Sequence, residues 1–140
     1  MSRWLNRFQP WGVLLLRLVL GSSMLYHGWD KVIPSNFPHA SLFSAVHHNA
    51  HFVANLGLPA WLGYVSALTE FVGGICLILG LFTRLFAGLI AINLLVAILA
   101  FTIHHGYGAS ELPLAMLAIA LMLLFSGAGK AALDRRTGFA

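Results

Sequence analysis

The sequence predicts an all-α membrane protein: a four transmembrane helix bundle with a short amphipathic helix between spans 1 and 2. The first observation is composition, since 59% of the 140 residues are hydrophobic and 9% are charged. A soluble domain carries about 25% charged residues. The second is that four segments approach the roughly 20 apolar residues that cross a bilayer. The third is the placement of Lys and Arg between those segments. A chain of this length predicts a single domain over residues 1–140.

The same composition excludes several classes of protein. The net charge is +4, but the basic residues are few and lie near segment ends, which is a signal of membrane topology. It is not the basic patch of a nucleic-acid-binding protein, so we expect the lipid bilayer as a partner and no nucleic acid. Cys76 is the single cysteine, which excludes an intrachain disulfide.

The apolar segments define the expected spans. The first has a basic start, as in a signal peptide, but no small-residue cleavage site follows it, so we interpret it as an uncleaved span. We expect helices because an open sheet edge cannot lie in lipid. The predicted spans cover about residues 11–33, 60–82, 85–103 and 112–128.

The segment between the first two spans contains "SLFSAVHHNAHFVANLGLP". Its apolar residues recur at helical spacing, which predicts a short amphipathic helix lying at the membrane interface and ended by Gly57 and Pro59. A hydrated loop helix is the alternative interpretation. The apolar positions are Phe43, Val46, Ala50, Val53 and Leu56.

Histidines in this segment raise the question of a metal site. His47 and His51 are four residues apart, which on a helix places two imidazoles within reach of one ion. A metal site also needs further ligands and groups that orient them, and the pattern supplies neither. The sequence therefore predicts no metal site, and these two histidines are the candidates if one existed.

The basic residues predict the orientation of the spans. Lys and Arg are enriched in cytoplasmic loops. They occur in the N-terminal tail, in the turn after span two and in the C-terminal tail, whereas the loops 34–59 and 104–110 have none. We therefore expect a multi-pass protein of the cell inner membrane with both termini in the cytoplasm. The residues are Arg3 and Arg7, then Arg84, then Lys130, Arg135 and Arg136.

Each span combines small residues with a polar residue on one helical face. Small residues let membrane helices approach closely, so we expect the four faces to meet at the centre of the bundle. The faces comprise Arg17, Gly21, Met24, Gly28 and Lys31; Gly63, Ser66, Ala67, Glu70, Gly73 and Gly74; Asn93, Ala97, Ala100 and His104; and Glu111, Ala115, Ala118 and Met122.

Two charged residues lie well inside the predicted spans. Arg17 lies in the first span and Glu70 near the middle of the second. An unpaired charge there costs several kcal/mol, so we expect the two to form a buried polar pair. The pair is interpreted either as a fixed structural contact or as part of a proton relay, and extension of Arg17 to the headgroups is a further alternative.

A second polar group is expected at the outer end of the bundle. His27, Lys31, His104 and Glu111 lie at the ends of three different spans. Imidazole exchanges protons near neutral pH and a carboxyl can do so in a dry site. We take these four residues as candidates for a ligand or proton site.

The stretch "LLLRLVLGSSMLYHGWDK" resembles the first-span signature of the DoxX family. "LGLPAWLGYVSALTEFVGGICLILGLFTR" is similar to the family's second block, and "HHGYGASELPL" and "SGAGKAALD" resemble its later blocks. The resemblance covers nearly the whole chain, apart from the histidine-rich insert at 39–51. It implies a small four-helix inner-membrane protein.

The resemblance also implies candidate functions. The family takes its name from a membrane subunit linked to quinone-dependent sulfur oxidation, which implies a quinone-linked oxidoreductase subunit. Such a subunit needs a protein partner, because no flavin or iron–sulfur motif is present. A non-enzymatic assembly or interaction protein is the main alternative, and a small-solute transporter ranks last because four spans are few for a carrier. Whether the chain is an enzyme stays open, and quinone is the candidate cofactor. Homo-oligomerisation is the alternative to a separate partner.

Overall fold

The computed structural model describes residues 7–33, 42–129 and 132–134. Across these residues the fold has five α-helices and no strand, which confirms the all-helical part of the prediction. A short 3₁₀ turn, Thr102–His105, connects the last two helices. The helices are α1 (Gln9–Val32), α2 (Leu42–Asn55), α3 (Trp61–Leu79), α4 (Thr83–Ala100) and α5 (Tyr107–Ser126).

Three helices are long and apolar enough to cross a membrane: α3, α4 and α5. The first helix has 24 residues, which at 1.5 Å per residue exceeds the thickness of the hydrocarbon core. It is not one of the three, and it carries Arg17, Asp30 and Lys31. The structure thus supports three candidate spans by length and composition.

Glycines bring α1 and α3 into close antiparallel contact. A Cβ atom placed on Gly28 would lie 2.5 Å from the backbone nitrogen of Phe71, and one on Gly74 would lie 2.6 Å from that of Leu25. No side chain fits in either gap, so the two backbones touch. The faces predicted for these two helices are the ones that the structure buries, with Lys31 and Ser66 partly exposed at the edge.

The face predicted for α5 is wrong, whereas the face predicted for α4 is turned towards α3 but is not buried in the core. On α4 the predicted Ala97 is exposed, and on α5 all four predicted residues are exposed. Both helices pack through alanines together with larger apolar side chains that fill the core. The apolar residues buried there are Ala87, Ile90, Ala91, Leu94 and Ile98 on α4, and Ala120 and Leu123 on α5.

The last helix begins earlier than the sequence predicted. It starts at Tyr107, directly after Gly106 with a φ of +89°, and Pro113 lies inside it. The prediction placed the start at about residue 112 because the span was chosen by its run of apolar residues. Here the helix tolerates the lost hydrogen bond within its second turn.

A short helix is present as α2 in the segment where the sequence predicted one. Ala50 is buried against Gly63 of α3, where an added Cβ would lie 2.5 Å from the Cα atom of Ala50. The Nδ2 atom of Asn49 donates to the Gly63 carbonyl at 2.6 Å. The helix is therefore fixed on α3, and its histidines remain exposed.

Candidate functional site: a cavity between α2, α3 and α4

A cavity of about 220 Å³ lies between α2, α3 and α4 and reaches the end of α1. Most of its lining is aliphatic or aromatic. An apolar cavity of about 150 Å³ accommodates a benzene ring, so this one has room for a single substituted ring. The polar residues that line it are Lys31, Asn49, Ser66, Thr69, Glu70 and Asn93.

The cavity extends to the outer face of the bundle. Val65 on α3 and Leu89 and Ile92 on α4 line it and are also exposed. Phe52 of α2 and Phe101 after α4 close one end, with ring centroids 5.5 Å apart in an edge-to-face contact. The gap between α3 and α4 therefore gives access from the side of the bundle, which in a membrane is the lipid.

Glu70 forms the polar end of the cavity. Its Oε1 atom accepts hydrogen bonds from Lys31 Nζ at 2.7 Å and Asn93 Nδ2 at 2.9 Å, with the Ser66 hydroxyl at 3.4 Å. The Lys31–Glu70 contact is an ion pair with side-chain exposures of 31% and 9%. The other carboxylate oxygen, Oε2, is buried and has no hydrogen-bond partner among the described residues. Donors from three helices thus converge on one carboxylate oxygen, and the second oxygen is buried without a donor among the described residues.

Of the four candidates for a ligand or proton site, Lys31 alone lines this cavity. His27 and Glu111 are exposed, and so is His104 in the 3₁₀ turn. The His27 ring makes an edge-to-face contact with its neighbour Tyr26. The structure therefore does not gather the predicted outer group around one site.

The expected pair between Arg17 and Glu70 is not formed. In the antiparallel packing of α1 on α3, Gly28 lies against Glu70, whereas Arg17 lies eleven positions earlier, beside Gly80. Arg17 Nη1 instead donates to the Ala128 carbonyl at 2.6 Å, and Asp134 acts on it electrostatically. Each charge has a partner, as expected, but the partner of Glu70 is Lys31.

Asp134 also fixes the start of α4. Its two carboxylate oxygens accept hydrogen bonds from the backbone N–H groups of Phe82, at 2.6 Å, and Thr83, at 2.8 Å. A helix start has N–H groups without helical partners and favours negative charge. Phe82 has a φ of +47°, a strained conformation for a residue with a side chain, and the Asp134 contact holds it. We name Arg17, Ala128 and Asp134, with the turn at Gly80, the basal clasp.

The histidines of α2 have other contacts. The Tyr64 hydroxyl and His47 Nδ1 are 2.5 Å apart, and their rings meet edge to face. His51 is exposed. Within residues 7–33, 42–129 and 132–134, no three His, Cys, Asp or Glu side chains come together as metal ligands.

Asn93 is the cavity residue whose role sequence reasoning missed. It was placed on a helix face but not in a site. Its position in the sequence could have indicated this role, because Asn93 is the one amide side chain in the apolar helix "TRLFAGLIAINLLVAILA". A buried amide without a partner is costly, so a lone asparagine in such a helix indicates a polar neighbour on another helix.

Comparison with known proteins places this architecture in a family. A family model described as DoxX matches residues 12–105, which include the cavity, Lys31 and Glu70. The chain belongs to the DoxX family. Together with the three apolar helices, this membership indicates a membrane protein.

Two relatives align with this DoxX chain over nearly its full length. "Putative oxidoreductase CatD" of Bacillus subtilis (strain 168) is 29% identical over 131 residues, covering 93% of this chain and 90% of the relative. An "Uncharacterized protein" of Haemophilus influenzae is 32% identical over 142 residues, covering 94% and 95%. No solved structure matches the chain significantly.

Proposed function

We propose that this DoxX protein is a membrane subunit of a quinone-linked oxidoreductase system, and that a lipid-soluble quinone binds in the cavity between α2, α3 and α4. The observation that carries the proposal is the cavity itself. It combines apolar walls that open sideways between two apolar helices with a charged end at Lys31 and Glu70. A quinone has the same division, with an apolar ring and tail and polar oxygens on the ring.

The proposal includes the arrangement in the membrane. A single domain crosses the inner membrane four times through α1, α3, α4 and α5, with α2 along the outer interface and both termini in the cytoplasm. The length of α1 supports the fourth span. The basic residues at both ends of the chain and at Arg84 support the orientation.

In this proposal the residues of the chain bind and orient the ring and keep water from it. The quinone supplies its own two-electron chemistry, and a partner protein exchanges electrons with it. The name of the Bacillus relative, an oxidoreductase, supports the reaction class. The room available, about 220 Å³, supports a ligand with one ring inside the cavity and its tail in the lipid.

Filling the cavity tests this function. Ala97 lines the cavity and is exposed, so Ala97→Phe places a ring in the ligand's space without disturbing the core. Binding of a short-tailed benzoquinone to protein purified in mild detergent should weaken about tenfold or more. Ala115→Phe is the matched control, because Ala115 is an exposed alanine on α5, outside the cavity. His27→Ala and Glu111→Gln, also outside it, should bind as the parent does.

Two outcomes would contradict the proposal. One is a parent protein that does not bind the benzoquinone, and the other is an Ala97→Phe protein that binds it as tightly as the parent. Identification of the proteins that co-purify with the parent chain then tests the alternative, a non-enzymatic assembly protein. An assembly factor should co-purify with an unfinished membrane complex, and an oxidoreductase subunit with a redox protein.

A further inference from the structure

We infer that the hydroxyl group of Thr69 on α3 lets the cavity distinguish an oxygen-bearing ring from a lipid acyl chain, by donating a hydrogen bond to a ring carbonyl. This inference rests on the proposed function and deepens it, because it names the chemical group that the site recognises and the residue that recognises it. It gives the cavity a second polar contact, separate from the ion pair of Lys31 and Glu70.

The first step is the position of Thr69 on the cavity wall. The residues of α3 that line the cavity recur every three or four positions, so they lie on one side of the helix. One turn beyond Thr69, a Cβ atom added at Gly73 would lie 3.2 Å from Cδ1 of Ile90 on α4. Thr69 therefore lies where the gap between α3 and α4 narrows. The lining residues of α3 are Leu62, Val65, Ser66, Thr69 and Glu70.

The second step is that the Thr69 hydroxyl has no hydrogen-bond partner among the described residues. A serine or threonine inside a helix commonly donates to a carbonyl three or four residues earlier. Ser22 and Ser110 do so here, at 3.1 and 3.3 Å. Thr69 is only 9% exposed, and a buried hydroxyl without a partner is costly. A ligand that accepts its hydrogen bond removes this cost.

The third step is that a ligand in the cavity can reach this hydroxyl. The hydroxyls of Thr83 and Thr102 also lack a partner within the described part of the chain, and both are closed off, with almost no accessible surface. The Thr69 hydroxyl is not among the atoms closed off in this way, so it retains accessible surface. Because Thr69 is nine-tenths buried and lines the cavity, that surface belongs to the cavity wall.

The fourth step is that the other polar donors on the cavity wall already have acceptors within the protein. Thr69 is thus the lining residue whose donor is still available, judged over the described residues. A carbonyl group can bind there without breaking a hydrogen bond of the protein. The donors that are already engaged belong to Lys31, Asn49, Ser66 and Asn93.

The available hydroxyl decides which molecules the cavity retains. The opening between α3 and α4 faces the lipid, so acyl chains compete with any other ligand for the cavity. An acyl chain is hydrocarbon and leaves the hydroxyl of Thr69 unpaired, whereas a ring carbonyl accepts its hydrogen bond. A site that pairs a polar group of its ligand rejects analogues that lack this group. Thr69 therefore favours an oxygenated ring over a saturated chain.

The test measures two probes on the full chain purified in mild detergent. One is a short-tailed benzoquinone, and the other is the alkylbenzene with the same tail and no oxygen. Thr69→Val replaces the hydroxyl with a methyl group of similar size. It should weaken binding of the benzoquinone about tenfold, as expected for one buried hydrogen bond, and leave binding of the alkylbenzene unchanged or tighter. Both probes dissolve in detergent, so each is compared between proteins.

Three further variants serve as controls for Thr69→Val. Thr69→Ala also removes the hydroxyl, without a new apolar group in its place, and should repeat the loss of the benzoquinone. Thr69→Ser keeps the hydroxyl and should bind the benzoquinone nearly as the parent does. Thr83→Val makes the same atomic change at a buried hydroxyl outside the cavity, so it should bind both probes as the parent does.

The outcomes separate this inference from the proposed function. If the parent binds the benzoquinone and the valine and alanine variants of Thr69 bind it as tightly, the inference is overturned while the quinone-binding function stands. Equal loss of both probes in these two variants also overturns it, because the alkylbenzene cannot accept a hydrogen bond. If the parent does not bind the benzoquinone, the proposed function fails and the inference falls with it. Loss of the benzoquinone alone, with binding kept in Thr69→Ser and Thr83→Val, supports both.

Discussion

Asp134 holds one end of the bundle together through two contacts that differ in kind. Its carboxylate caps the start of α4 at Phe82 and Thr83 and lies close to the buried charge of Arg17. Its own N–H donates to the Gly80 carbonyl at 3.0 Å. Arg17 is 1% exposed, so this side chain depends on the basal clasp for compensation of its charge.

This arrangement predicts strong coupling between Arg17 and Asp134. Removing one member of a buried charge pair costs about 3–5 kcal/mol, whereas removing both costs less than the sum. Arg17→Leu and Asp134→Asn should each lower the thermal unfolding temperature in detergent, and the double variant should recover part of the loss. By contrast, Arg17→Leu and Glu70→Gln should add within about 0.5 kcal/mol, because their sites are far apart.

Asp30→Asn is the control for Asp134→Asn. It makes the same chemical change at an exposed position, so the unfolding temperature should stay close to that of the parent. Additive effects of Arg17→Leu and Asp134→Asn would show that the basal clasp does not couple these two residues.

Among the helices, the contact between α1 and α3 leaves no room for side chains. At Gly28 and Gly74 an added methyl group would lie within 2.6 Å of backbone atoms on the other helix. Gly28→Ala and Gly74→Ala should therefore each destabilise the protein by about 2 kcal/mol or more, since the helices must separate. Thermal unfolding of the purified variants measures this loss.

Gly88 provides the matched substitution for this prediction. It lies inside α4, and the nearest atom to an added methyl group is Leu124 Cδ1 at 3.5 Å, an ordinary contact. Gly88→Ala should be neutral or stabilise the helix by about 0.5–1 kcal/mol, the usual gain from removing glycine within a helix. If Gly28→Ala and Gly88→Ala behave alike, close backbone contact is not what holds α1 to α3.

The helices also show what could be predicted from sequence and what could not. Glycine at helical spacing indicated the buried faces of α1 and α3 because close packing there depends on small residues, a local property. The face of α5 was wrong, and that of α4 borders the cavity instead of the core, because alanine also occurs on surfaces that face lipid. The core beside these helices is filled by Ile90, Leu94 and Leu123. For those two helices, residue size alone did not indicate orientation.

Across the whole molecule, the proposed four-span arrangement makes a direct topological prediction. A fluorescent protein fused after Ala140 should fluoresce from the cytoplasm, and a phosphatase inserted at His48 or Tyr107 should be active outside it. The physical reason is the retention of basic segments on the cytoplasmic side. Phosphatase activity from the Ala140 fusion, or its absence at both insertion points, would contradict the arrangement.

The cavity is the feature of the whole molecule that sequence reasoning did not reach. Its polar end joins Lys31, Glu70 and Asn93, which belong to three helices, and one of its walls comes from α2. Charge and depth indicated that Glu70 needed a partner, but the partner follows from the register of α1 on α3. Lys31 and Arg17 lie a few turns apart on α1, and the register of α1 on α3 decides which of them meets Glu70. Only the assembled fold fixes that register.

The basal clasp also has a consequence for biosynthesis. A ribosome releases a chain from its N-terminus, so Arg17 leaves the exit tunnel long before Ala128, 111 residues later, and Thr83 leaves it 51 residues before Asp134. Until translation reaches that point, the final partners of Arg17 have not been synthesised. The basal clasp therefore forms only after the C-terminal segment has been made, so we expect a chain truncated before residue 128 to leave Arg17 without its contacts to Ala128 and Asp134.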